Sequence, residues 1–312
     1  MHNDNERVIM QQQRNRRGGS NRRPHNAPHK RRANNKPSDI HASRFINQAT
    51  SPQEEVPYTP EHTFHTMGLN ARTVATLDYL GFTVPSPIQD QCIVSALAGR
   101  DVIGLANTGT GKTAAFLLPI IEKLYHDRSH VSALVLAPTR ELAQQIDEEF
   151  RRFSAGKKMY SALVVGGANI GRQIQQVQRG PQIVIGTPGR IKDLIDRRVL
   201  RLQTVNTFVL DEADRMCDMG FVRDIRTIAA ELPEQRQTFC YSATMTPDVQ
   251  TIVQEFMTDP HVVSVVKNET NDHIEQDVMY VRDKAHKTEL LIELLQKPEF
   301  TKTIVFGDTK YS

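Results

Sequence analysis

Cysteine is scarce in this chain. Cys92, Cys217 and Cys240 are the only three, odd in number and far apart, with no CxxC pair and no Cys/His cluster. That pattern excludes a disulfide framework and offers no zinc-site spacing, so each thiol is expected to act as a small buried apolar residue. Long hydrophobic runs are also missing. The longest are strand-sized, far short of the roughly 20 residues that a membrane span needs. Met1 is followed by polar residues rather than an apolar secretory core, so a reducing, cytoplasmic location is the expectation. No internal repeat recurs at a fixed period.

What is present suffices for one large core. The chain has 312 residues, 38% of them hydrophobic, which leaves room for one to two domains. Its net charge of +3 conceals an asymmetry. Residues 1–50 carry eleven Lys and Arg against three Asp and Glu, a net of +8, and the rest carry 28 against 33, a net of −5. Residues 1–57 are rich in Arg, Asn, Gln, Pro, Gly and His, with almost no aliphatic residues after Val8 and Ile9. Such a stretch cannot bury enough surface to offset chain entropy, and it is expected to be a disordered basic tail. Its basic centre, Arg14–Lys36, suits a polyanion such as RNA, although a solvated tail that only aids solubility fits the same composition.

From residue 58 the composition turns globular. Apolar runs at Asp101–Leu105, Ala133–Leu136, Ser161–Val165, Ile183–Ile185, Thr207–Leu210 and Thr238–Tyr241 predict strands. Helical patterns separate them, at Ala114–Leu124, Arg140–Phe153, Gly171–Gln178, Ile191–Arg197, Met219–Glu231 and Asp248–Met257. Nearly continuous apolar strands alternating with helices indicate an α/β domain with a doubly wound parallel sheet. A strand at Val262–Val265 is followed by a polar linker, Lys267–Asp272. Beyond it lie strand-like Asp277–Val281, helix-like Lys284–Gln296 and strand-like Thr303–Phe306, too few residues for a domain of their own. The expected organisation is a tail (1–57), a lead-in segment (58–90), the main α/β domain (91–268) and the start of a second domain (269–312).

Two motifs carry chemistry on their own terms. Ala106-Asn107-Thr108-Gly109-Thr110-Gly111-Lys112-Thr113 lies between a predicted strand and a predicted helix, the context that a phosphate loop requires. Gly109 and Gly111 let backbone N–H groups approach phosphate oxygens, and the following helix N-terminus favours anions. Lys112 can reach the β- and γ-phosphates and Thr113 can ligate Mg²⁺. Ala106 stands where the common form of the motif has Gly. About 100 residues later, Asp211-Glu212-Ala213-Asp214 ends a buried strand. Carboxylates at that end of an α/β sheet lie where ligands bind. Asp211 suits Mg²⁺, and Glu212 can orient and deprotonate an attacking water.

The Asp-Glu-Ala-Asp letters and the A-x-T-G-x-G-K-T loop resemble motifs II and I of the DEAD-box RNA helicases, a superfamily 2 family. Further segments resemble the family's other motifs in the same order. Gly81–Gln89 is similar to the Q motif, with Phe64 at the expected distance upstream. Pro138-Thr139-Arg140-Glu141-Leu142 is similar to motif Ia, Gly166-Gly167 to the GG motif, Thr187-Pro188-Gly189-Arg190 to motif Ib, and Ser242-Ala243-Thr244 to motif III. The resemblance covers about residues 62–312 and implies RecA-like domains that bind and hydrolyse ATP with Mg²⁺ and act on RNA.

Site roles follow from the resemblance and from side-chain chemistry. The Gln89 amide, one carbonyl and one NH₂, suits the N6 and N7 edge of adenine and would select ATP over GTP. No guanine-reading Asn-Lys-x-Asp occurs, since Asn35-Lys36-Pro37-Ser38 lacks the Asp. Stacking of Phe64 on the adenine is implied by the family, and a core aromatic is the alternative. Thr187 suits an N-cap and Pro188 a first helical position. With Pro138, Thr139, Arg140, Gly166, Gly167, Gly189 and Arg190 they would form a track that reads nucleic-acid backbone rather than bases. Ser242, Ala243 and Thr244 are implied to bond to the Asp-Glu-Ala-Asp segment, with Asp214 as partner, linking nucleotide state to RNA state.

Ile304–Lys310 resembles the start of motif IV, and the arginine-rich later motifs do not follow. The reading is therefore of a C-terminally truncated member, binding ATP in a half-site that a partner or a further domain would complete. An ATP-dependent RNA helicase is the leading expectation, and an ATP-gated RNA-binding clamp or adaptor is the alternative. RNA rather than DNA rests on the resemblance alone.

Overall fold

Short buried strands alternate with helices in a computed structural model of the chain, which describes residues 58–126, 131–265 and 277–307. The strands are β1 (Val102–Leu105), β2 (Ala133–Leu136), β3 (Ser161–Val164), β4 (Ile183–Gly186), β5 (Thr207–Asp211), β6 (Gln237–Ser242) and β7 (His261–Ser264). All pair in parallel, in the order β3-β4-β2-β5-β6-β1-β7. Successive strand residues feed two cores on opposite faces. In β6, Phe239 and Tyr241 enter one core and Cys240 the other. Burial on both faces is why the inner strands read as continuous apolar runs rather than as alternating ones.

The helices are α1 (Ala71–Tyr79), α2 (Pro87–Leu97), α3 (Lys112–His126), α4 (Arg140–Phe153), α5 (Ile170–Gln178), α6 (Pro188–Asp196), α7 (Ala213–Asp218), α8 (Val222–Ala229) and α9 (Pro247–Phe256). This is the doubly wound, RecA-like α/β architecture expected from the sequence. Strand order decides where the chemistry gathers. β5, β6 and β1 are neighbours, so the loops after Asp211, Ser242 and Leu105 leave the sheet side by side. β3, β4 and β2 are the other run of neighbours, so the loops carrying Gly166, Thr187 and Thr139 also emerge together. The sheet's C-terminal rim thus has two adjoining halves, with different loops in each.

One close approach in the core explains a glycine. A Cβ on Gly104 would stand 2.4 Å from Tyr241 Cε1. The bare position in β1 leaves room for the Tyr241 ring, which packs 5.4 Å from that of Phe116.

Near the opposite end of the sheet, the Lys123 ammonium is largely buried under β5 and β6. It donates to Thr207 Oγ1 at 3.2 Å and to Gln237 Oε1. Burial lowers its pKa to about 8, and Asp101 acts weakly against that shift. Between pH 8 and the ordinary lysine range the unfolded chain holds a proton that the folded chain has released. Stability contributed by this group therefore rises with pH across that window. Buried Cys92 and Cys240, both pushed up to about 12, act in the opposite direction as their unfolded thiols ionise. The expected result is therefore a difference: relative to Lys123→Met, the unmodified protein gains unfolding free energy between pH 8 and 10. Denaturant titrations of both proteins at several pH values measure it, and parallel curves would reject it.

Several features depart from the sequence reading. The helix expected at Met219–Glu231 begins at Val222, because α7 ends at Asp218 and Gly220 turns the chain at φ +80°. Residues 58–90 do not stand apart from the α/β domain. Phe64, Met67, Leu69, Val74 and Leu77 join the same core as α2 and α3. The segment 277–307 belongs to a separate unit, in which α10 (Lys284–Leu295) has no buried residue. Asp277–Val281 and Thr303–Phe306 are not strands there. A strand needs a neighbour to satisfy its N–H and C=O groups, and neither segment pairs with one among the described residues. The basic tail, the linker at Lys267–Asp272, the boundary at residue 268 and the end of the motif at Ile304–Lys310 lie outside the described residues.

Cys92 and Cys240 are buried, Cys217 is half-buried, and all three are free thiols. Among the described residues no helix is long and apolar enough to cross a membrane.

Candidate functional site

The phosphate loop joins β1 to α3 in the half of the rim formed by β5, β6 and β1. Gly109 and Gly111 take φ of +86° and +95°, which L-residues with side chains rarely adopt. A Cβ on Gly111 would also stand 2.4 Å from Gln89 Nε2, so glycine is required there twice over. Lys112 opens α3, is 7% exposed, and donates from Nζ to Ala106 O at 3.0 Å. The ammonium is thus folded back onto the loop's own carbonyl. Thr110 Oγ1 donates to Asn107 O at 2.8 Å and braces the loop.

Gln89 sits at the third position of α2. Its Oε1 accepts from Ser86 N at 2.9 Å, and its Nε2 donates to Gly111 O at 3.2 Å. Each end of the amide keeps one free function, an N–H and a lone pair, so a bidentate contact remains available. A cleft of about 470 Å³ opens here, lined by Phe82, Gln89, Thr108, Gly109, Gly111, Lys112, Thr113, Leu142, Phe153, Asp211 and Glu212 among others.

Phe64 takes the core position that was the alternative to stacking on a base. Phe64 is 1% exposed, packs edge-on to Phe82 at 6.4 Å, and does not line the cleft. Phe82 forms the wall, supported in turn by Phe153 at 5.4 Å. The signal was within the motif, since Phe82 directly precedes the Pro- and Ser-containing turn into α2, whereas Phe64 leads into α1.

Asp211 ends β5 with 2% exposure. Burial pushes its pKa up to about 6, with Lys112 pulling down and Glu212 pushing up. Its Oδ1 accepts from Glu212 N at 3.1 Å. A buried carboxylate of this kind favours a nearby positive charge. Together with the Thr113 hydroxyl it makes an all-oxygen donor pair of the kind that hard cations such as Mg²⁺ prefer. Glu212 is held at φ +54°, ψ 53°, a left-handed conformation that is uncommon for a residue with a side chain. Its Oε2 pairs with Arg215 Nη1 at 3.2 Å.

Asp214 is tied to β6. Its Oδ2 accepts from Thr244 Oγ1 and Thr244 N, both at 2.9 Å, and from Ala243 N at 3.2 Å. In return Ser242 Oγ accepts from Asp214 N at 3.2 Å and donates to Thr244 O at 2.9 Å. Burial opposes the charge on Asp214, but the Thr244 hydroxyl and the backbone donors hold its pKa below the usual value. The two segments that the sequence reading paired are joined through Asp214, with the Ser242 hydroxyl bonded to both partners.

The other half of the rim holds a second cleft, about 610 Å³, lined by Pro138, Thr139, Arg140, Glu141, Gly166, Thr187, Gly189, Arg190, Asp193, Met219 and Phe221. Thr139 caps α4, accepting from Leu142 N at 3.2 Å. Thr187 stands at the cap of α6 with Pro188 first in the helix, but its hydroxyl accepts from Gly166 N at 3.3 Å instead of capping. Gly167 takes φ +74°, which favours glycine, and its bare Cα lets the Arg140 guanidinium lie against it. Arg190 is already engaged, donating to Ala168 O at 3.2 Å and to Gln173 Oε1 at 3.3 Å. Met219 and Phe221 give this cleft an apolar side that the sequence reading did not anticipate. A further cavity, around Arg151, Tyr160 and Arg179, lies by the start of β3 and contains none of these motifs.

Residues 86–252 match the family model described as DEAD/DEAH box helicase. The chain belongs to this family. It is 45% identical over 251 residues to the DEAD-box ATP-dependent RNA helicase CshA of Bacillus licheniformis, a match covering 80% of this chain and 51% of that protein. It is 46% identical over 250 residues to the ATP-dependent RNA helicase CshA of Listeria monocytogenes, covering 79% and 48%. The chain therefore spans about half the length of the curated relatives it matches. Its fold is similar to the crystal structure of a DEAD box protein from Methanococcus jannaschii, with TM-score 0.63, 33% identity, and 76% and 64% of the two chains covered. A hypothetical ATP-dependent RNA helicase from Sulfolobus tokodaii gives TM-score 0.59 and 33% identity over 63% and 57%. In DEAD/DEAH box terms, the matched segment of this chain contains Gln89, the phosphate loop, the Asp211–Asp214 segment and Ser242–Thr244.

Proposed function

We propose that this chain is the ATP-binding motor domain of an ATP-dependent RNA helicase, hydrolysing ATP to remodel or locally unwind RNA. One observation carries the reading. The Asp214 carboxylate and the Ser242 hydroxyl join the loop after β5 to the loop after β6, beside the phosphate loop and next to an arginine- and glycine-lined cleft. A nucleotide in the first cleft and a phosphate backbone in the second would be read by adjoining loops of one sheet.

Within that reading, Gln89 takes the adenine edge and Phe82, rather than Phe64, takes the ring face. Lys112 leaves Ala106 O for the β- and γ-phosphates, and the loop N–H groups from Asn107 to Thr113 surround them. Asp211 and Thr113 would hold Mg²⁺, which when bound supplies neutralising charge at the phosphates. Glu212 orients the attacking water and takes its proton. Arg140, the glycines at 166 and 167, and Gly189 in the first turn of α6 contact RNA backbone without reading sequence. The basic tail adds non-specific affinity through its Lys and Arg residues.

The test is steady-state ATP hydrolysis with and without single-stranded RNA, with Lys112→Ala as the blank. RNA should raise turnover clearly above the blank. If ATP binds yet turnover stays at the blank with RNA present, the clamp or adaptor reading replaces that of a motor.

A further inference from the structure

Asp90 follows Gln89 in α2, and its carboxylate is buried at 1% exposure. Four donors from a single upstream stretch converge on it. Tyr58 OH donates to Oδ2 at 2.6 Å and Glu61 N to Oδ2 at 2.8 Å. His62 N donates to Oδ1 at 3.1 Å, and His62 Nδ1 lies 2.9 Å from the same oxygen, so the tautomer with its proton on Nδ1 completes the set. Burial works against the charge, but these donors hold the carboxyl below its usual pKa. A buried charge satisfied by one peptide segment is an expensive way to pack a helix, since an apolar residue would fill the same space. What it supplies is a fixed position.

Two lines of contact lead from this segment to the nucleotide cleft. One runs through Asp90 to the adjacent Gln89. The other runs two residues past His62 to Phe64, which packs on Phe82, the aromatic wall of the cleft. Residues 58–64 therefore touch Asp90, the immediate neighbour of the edge reader, and Phe82, the ring face.

We propose that Asp90 is a positioning residue for base recognition: by clasping residues 58–62 it fixes the spacing between Gln89 and Phe82 and so sets the preference for adenine. The inference rests on the nucleotide reading above. It also means that the segment leading out of the basic tail is mechanically continuous with the base pocket. Asp90 itself does not line the nucleotide cleft, so its loss acts through Gln89 and Phe82.

The experiment titrates the full chain with ATP, GTP and inorganic tripolyphosphate, comparing it with Asp90→Asn and the milder Tyr58→Phe. Tripolyphosphate engages the phosphate loop without a base. Misaligning a bonded base contact costs about tenfold, so ATP affinity should fall by about that factor in Asp90→Asn and by less in Tyr58→Phe. Tripolyphosphate affinity should be unchanged, and the ATP-over-GTP ratio should shrink. An unchanged ratio in both variants overturns the proposal, and so does an equal loss across all three ligands, which would mark a merely structural role. If Asp90→Asn does not fold, Tyr58→Phe decides by the same criteria. Failure of the underlying reading looks different: the unmodified chain would not bind ATP, or Lys112→Ala would bind it equally well.

Discussion

Replacing Lys112 with alanine should weaken ATP binding by at least about a hundredfold. Lys112 is 7% exposed and its ammonium donates to Ala106 O at 3.0 Å, a bond it can exchange for phosphate oxygens. Charge-assisted hydrogen bonds contribute about 1.5–3 kcal/mol each, so two lost to the β- and γ-phosphates correspond to about 10²–10⁴ in Kd. A second effect adds to the first. Lys112 pulls the Asp211 pKa down against the burial that pushes it up to about 6. Without that ammonium Asp211 should bind its proton more tightly still and become a poorer cation ligand near neutral pH. Alanine favours helix at the start of α3, so the fold should survive. Titration calorimetry with ATP and Mg²⁺ measures the loss, and a thermal melt checks the fold. An unchanged Kd would mean that the glycine loop does not hold phosphates.

How much of this was legible beforehand depends on what each feature rests upon. Strands were readable because burial on both faces demands runs such as Ala133–Leu136, which no surface loop would carry. The phosphate loop was readable because Gly109 and Gly111 serve a backbone conformation, which is local. Asp211 was readable as the last residue of a buried strand. What escaped depends on which side chain faces a cleft after three elements have packed. Phe64 and Phe82 are both aromatic and both precede Gln89, and only the packing of their segments against the core and Phe153 of α4 turns one inward and leaves the other at the cleft. Met219 and Phe221 were placed in the helix expected at Met219–Glu231 because Gly220 was not read as a break, whereas they line the second cleft. Arg190 was placed in the backbone-reading track, whereas Ala168 O and Gln173 already accept from its Nη1, which only the fold could show. The left-handed backbone at Glu212 leaves no mark in sequence, since nothing but the strand-to-helix turn imposes it. Asp90 was passed over because its four donors come from a stretch about 30 residues away, joined to it only by the fold.

Glu212→Gln should separate chemistry from binding. The substitution keeps side-chain size and leaves a neutral acceptor for Arg215, now 3.2 Å from Glu212 Oε2, but the amide cannot take a proton from water. Loss of a positioned general base costs about 10²–10⁴ in rate, so single-turnover hydrolysis with RNA present should fall by that much. ATP affinity should hold or improve. The charge on Glu212 helps to push the Asp211 pKa up, and removing it lowers that pKa, the reverse of what Lys112→Ala does. The two variants thus move one buried carboxyl in opposite directions. In Lys112→Ala the nucleotide fails to bind, and in Glu212→Gln it binds and persists. Rapid-quench measurement of ATP cleavage, alongside a binding titration on the same variant, resolves the two. Cleavage within about tenfold of the unmodified chain would remove Glu212 from the role of base. Of the other carboxylates in this segment, Asp211 is taken up as a cation ligand in the proposed site, and Asp214 is committed to Thr244 and could not replace Glu212 without breaking the link between the two loops.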